Sequence, residues 1–108
     1  MTIDWIATLQ EQQEFVKTIA DDVMKTLMSP HLTTVQASRL YRTVEQGAQT
    51  FDRIIDEMEQ ANLDEELNTA ADEIADTWTN LSIAAANKLR ALRGLEPIAF
   101  PTDDNDTA

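Results

Sequence analysis

Residues 62–94 carry the pattern that most restricts what this chain can fold into. Leu67, Ala71, Ile74, Trp78, Leu81, Ala85 and Leu92 recur at three- and four-residue spacing and draw one apolar stripe along an α-helix. Asp64, Glu65, Glu66, Asp72, Glu73 and Asp76 crowd its first half, and Lys88, Arg90 and Arg93 close it. The helix macrodipole favours that order, with anions at the start and cations at the end. Asn62, with Glu65 three residues on, reads as a variant of the capping box. Gly94 stands where a left-handed residue ends a helix, with Leu95 placed to fold back on Leu89 in a Schellman turn.

Two earlier stretches repeat the pattern. Ala37, Leu40, Val44, Gly47, Phe51, Ile54 and Met58 form a heptad seam like that of a coiled coil, flanked by Tyr41, Ala48 and Ile55. Gly47 in mid-helix costs about 1 kcal/mol against alanine. Beside Ala48 it leaves room for a bulky side chain, a Trp for instance, from a facing helix. Upstream, Ile6, Leu9, Val16, Ala20, Val23 and Leu27 follow a similar spacing, widened by Trp5, Ile19 and Met24. Phe15 falls off that stripe and is expected to be exposed. Pro30 breaks the chain after Ser29, because it lacks an amide and disfavours helical geometry before it. Thr33 and Gln36 then read as a capping box, with Leu32 and Ala37 as a hydrophobic staple.

No Pro or Gly separates the second and third stripes, but their phases differ. Continuing the seam through Met58 would place Glu65, Asn68 and Asp72 among the apolar positions, so a straight rod would point its two faces in different directions. A tight hairpin near Ala61 and Asn62 resolves the conflict. The expected fold is all-α: a long antiparallel three-helix bundle with helices over about residues 3–28, 34–60 and 63–93, followed by an extended C-terminal segment. Val and Ile never alternate with polar residues, and 2 Gly and 3 Pro in 108 residues leave little punctuation for a β-structure. Residues 1–101 read as a single domain. Within it, residues 95–101 carry two prolines and are expected to pack on the bundle, and residues 102–108 read as a disordered acidic tail.

With 20 acidic residues against 8 basic ones, the net charge is −12. Nucleic acids and anionic membranes are held mainly by Lys and Arg, so neither is an expected direct partner. A basic protein surface or a divalent cation suits the charge better. The chain has no cysteine, which excludes disulfides, thiol chemistry and Cys-based zinc sites. It shows no signal-peptide pattern and no apolar run of membrane-spanning length, so the expected location is cytoplasmic.

Chemistry has few places to reside. His31 is the single histidine and sits in the connector beside Pro30, without a nucleophile-elbow sequence for Ser29, Ser38 or Ser82 to use. Two glycines cannot build a phosphate-cradling loop. Carboxylate flanks are the remaining candidates: Glu45, Asp52, Asp56 and Glu59 on the second helix, and Glu66, Glu73 and Asp76 on the third. Hard cations such as Mg²⁺ or Mn²⁺ take oxygen ligands of this kind.

Glu73-Ile74-Ala75-Asp76, followed by an apolar helical run, resembles the Glu-x-x-Asp half of the MazG-like nucleotide pyrophosphohydrolases. The resemblance covers about 30 residues and implies a small all-α enzyme with Glu73 and Asp76 as ligands to magnesium. It also calls for an earlier Glu-Glu-x-x-Glu pattern. With the turn at residues 61 and 62, residue i faces residue 123 − i, and the level segment is Glu45-Gln46-Gly47-Ala48-Gln49. Amides stand at two of its three acidic positions, a departure that implies a disabled enzyme. A further alternative is mimicry of nucleic acid by surface carboxylates, with Arg39, Arg42 and Arg53 interrupting the acids.

The third helix has a second face. Ala75, Thr79, Ser82, Ile83 and Ala86 lie together, with Ile83 almost opposite the main stripe. Small residues let helices approach closely. This face, with Phe15, is the expected interface of a homodimer. The sequence reading is therefore a non-enzymatic interaction module without a cofactor, ahead of the pyrophosphohydrolase and mimic alternatives.

Overall fold

A computed structural model of the protein describes residues 4–98. The described residues form three α-helices: α1 (Trp5–Leu27), α2 (Thr34–Ala61) and α3 (Glu65–Leu92). They assemble as an all-α three-helix bundle, with no strand among the described residues. At 1.5 Å rise per residue, the 28-residue α2 and α3 are each about 42 Å long. The segment beyond Ile98, including the expected acidic tail, lies outside the described residues.

The helix ends follow from local chemistry. At α1, the Asp4 carboxylate accepts from the Ala7 amide. At α2, Thr33 and Gln36 form the complete capping box, with the Gln36 amide donating to Thr33 Oγ1 at 3.1 Å and the Thr33 amide to Gln36 Oε1 at 3.0 Å. Leu32 and Ala37 are both buried beside it. At the end of α3, the Leu95 amide reaches the Arg90 carbonyl at 2.8 Å and the Gly94 amide reaches Ala91 at 3.1 Å, with Gly94 at φ +73°. Those two bonds complete the expected Schellman turn.

Asn62 plays another part than the sequence suggests. It ends α2 in the left-handed region at φ 55°, and Asp64 precedes α3 without a side-chain capping bond. Asn tolerates positive φ better than other non-glycine residues, so the same side chain that suits an N-cap also suits this turn. The hairpin is thereby centred on Leu63, which packs against the core.

Buried positions repeat at heptad spacing in α1 and α2. Leu9, Val16 and Val23 come from α1, and Ala37, Val44, Phe51 and Met58 from α2; Ala71, Ile74, Trp78, Leu81 and Ala85 come from α3. α3 packs extensively on α2 and to a lesser degree on α1, while α1 and α2 touch little. A helix with one main neighbour buries a narrow seam. Ile6 and Met24 of the expected α1 stripe are accordingly exposed, at 60% and 51%. Leu92, in the last turn of α3, is also exposed.

After the turn at Gly94, residues 95–98 run back along α3. The Asn87 side chain donates to the Ile98 carbonyl at 2.9 Å and accepts from the Ile98 amide at 2.6 Å. Arg90 Nε donates to the Glu96 carbonyl at 2.5 Å. These contacts place the described part of the extended segment on its own bundle, held by its main chain. Leu95 and Ile98 remain exposed.

Candidate functional site

Trp78 is the structural centre from which the candidate surface is built. Its six-membered ring lies under Gly47, where an added Cβ would stand 2.6 Å from Cζ3. No real Cβ is tolerated that close, so glycine is required for α3 to bring the indole against α2. Phe15 of α1 covers another side of the ring, with centroids 5.9 Å apart and planes tilted by 48°. Trp78 is thereby buried, and its indole N–H has no acceptor among the described residues.

Two shallow grooves flank this residue. One lies between α1 and α2, where Phe15, Ile19, Gly47 and Trp78 contribute to its lining. The other lies between α2 and α3, holds about 250 Å³, and has Phe51 and Trp78 at its base. Ala48 lines it from α2, and Ala75, Thr79, Ser82 and Ile83 from α3. Glu45, Gln49 and Asp52 supply its polar groups on the α2 side. The Ser82 hydroxyl donates to the Glu45 carboxylate, a part-buried bond that joins the two helices.

The groove gathers four residues expected on the second face of α3. Ile83 is part-buried, on the flank that meets α2. Ala86 is part-buried one turn further on. Phe15 lies apart from them in the α1–α2 groove, half exposed and stacked on Trp78.

The carboxylates occupy different surroundings. Glu73 is exposed and lines a groove between α1 and α3 with Gln13 and Val16, while Asp76 is exposed and lines no described groove with it. Glu45 and Asp52 stand on the α2–α3 groove instead. Among the described residues, no three His, Asp or Glu side chains come together as a metal-binding group.

The hairpin register also differs from that expected. Trp78 meets Gly47 and Ser82 meets Glu45, so residue i faces about residue 126 − i. The turn spans residues 62–64 and is centred on Leu63 rather than between Ala61 and Asn62, which accounts for the shift of three. Glu73 is then level with about Arg53.

Sequence reasoning named the small residues of α3 but missed Glu45, Gln49 and Asp52 as members of the same groove. The small residue Ala48 beside Gly47 was the available signal. No helix among the described residues is long and apolar enough to cross a membrane. Compared with protein-family models, curated proteins and solved structures, the chain shows no significant match.

Proposed function

We propose that this chain is a cytoplasmic, non-enzymatic protein–protein interaction module that works as a homodimer through the α2–α3 groove. The observation that carries the reading is the lining of that groove. Ala48, Ala75, Thr79 and Ser82 keep its walls low over an aromatic base, and Ile83 stands at its edge. A low-walled groove admits the ridge of another helix, which is how helices pack closely.

A two-fold pairing makes the same surface serve both copies, with each Ile83 entering the other copy's groove. The polar residues Glu45, Gln49 and Asp52 then form a rim, as at protein interfaces with an apolar middle. Net charge −12 on each copy opposes the approach and restricts other partners to surfaces that carry basic groups.

Ile83→Glu tests the reading, because it places a charge in the interface without touching the buried stripe of α3. Analytical ultracentrifugation is expected to find the wild type dimeric at micromolar concentration and the variant monomeric, with closely similar helical circular dichroism. A variant that dimerises like the wild type would contradict the proposed surface.

A further inference from the structure

We propose that the groove between the first turns of α2 and the end of α3 is a binding site for a phosphate group. It is lined by Thr34, Val35, Ser38, Arg39, Arg42 and Arg93, and holds about 290 Å³. Three of the chain's 8 basic residues meet there, in a protein with 20 acids, and no carboxylate among the described residues lines the groove. Guanidinium groups offer forked donors that match the oxygens of phosphate, and several together suit a multiply charged anion better than a single carboxylate.

The fold assembles this set from both ends of the sequence pattern. Arg39 and Arg42 belong to the N-terminal part of α2, and Arg93 caps the C-terminus of α3. The antiparallel hairpin brings those two ends together. Thr34 and Ser38 add hydroxyls that can donate to an anion. The helix start helps as well. The capping box takes up the amides of Thr33 and Gln36, which leaves those of Thr34 and Val35 as the remaining first-turn donors.

Net charge does not forbid such a site. Asp52, where the dense acidic half of α2 begins, is ten residues beyond Arg42, about 15 Å along the axis. That exceeds a Debye length of about 8 Å at physiological salt. Glu45 is the nearer acid on α2, and its carboxylate is turned into the α2–α3 groove, where Ser82 donates to it. The site stands apart from the proposed dimer surface, so either can fail without the other.

Inorganic pyrophosphate is the probe, followed through backbone amide shifts by NMR at constant ionic strength. The expected result is saturable movement of the Thr34, Val35 and Ser38 amides with a millimolar Kd. Arg39→Gln with Arg42→Gln, and separately Arg93→Gln, should weaken binding at least tenfold. All three arginines are exposed, so these variants retain the fold. Shifts reproduced by sodium chloride at matched ionic strength, or unchanged in the variants, would overturn the proposal. Equal or tighter binding of a triaspartate peptide would overturn the phosphate assignment in favour of an acidic peptide.

Discussion

Gly47 and Trp78 make a tight contact between α2 and α3. Replacing Gly47 by Ala gains about 1 kcal/mol of helix propensity. It also drives a methyl group into a buried ring, where overpacking costs about 1–3 kcal/mol. The ring is held by Phe15 on another side and is buried, so it has little room to move. Urea denaturation of Gly47→Ala should therefore show a net loss of stability, of up to about 2 kcal/mol; a stabilised variant would mean that the indole shifts freely. A double-mutant cycle between Phe15 and Trp78 should return a coupling of about 0.5–1.5 kcal/mol, the usual worth of an aromatic pair. The glycine's role was legible in the sequence, because a mid-helix Gly on a heptad seam sacrifices helix propensity where a facing side chain needs the space. The role of Asn62 was not. An asparagine between two helices fits the start of one and the left-handed end of the other, and only the backbone decides.

At the scale of elements, all three helices were readable from their apolar spacing and caps, to within about two residues at each end. Thr33→Ala should cost about 1 kcal/mol in a thermal or chemical melt, since it removes one half of the capping box and strands the other. Spacing alone could not reveal how many neighbours each helix has. Ile6 and Met24 share the side of α1 that its stripe predicts, yet stay exposed because α1 packs on little besides α3. The hairpin register was likewise out of reach, and a shift of about three residues decides which α2 side chains meet Ser82 and Thr79. The candidate groove was thus legible as a set of small residues on α3, and not as a groove shared with Glu45 and Asp52. The extended segment after Gly94 is held through Asn87 and Arg90 by main-chain bonds on an exposed surface. Asn87→Ala removes both bonds to Ile98, so hydrogen exchange at the Ile98 amide should accelerate at least severalfold, with global stability little changed.

Along the α2–α3 hairpin of the molecule, charge is segregated from end to end. The hairpin places Arg39, Arg42, Arg90 and Arg93 at one end, and Asp56, Glu57, Glu59, Asp64, Glu65 and Glu66 at the other. Each copy carries a net charge of −12, so two copies that pair side by side repel one another, and added salt screens that repulsion. Self-association through an apolar groove should therefore tighten as sodium chloride rises from low to physiological concentration, whereas an assembly built on ion pairs should weaken. Sedimentation equilibrium at micromolar concentration, repeated across that salt range, tests the proposed homodimer most directly. The expected result is a species of twice the 12.1 kDa chain mass whose population grows with salt. A single 12.1 kDa species at every salt concentration would contradict it.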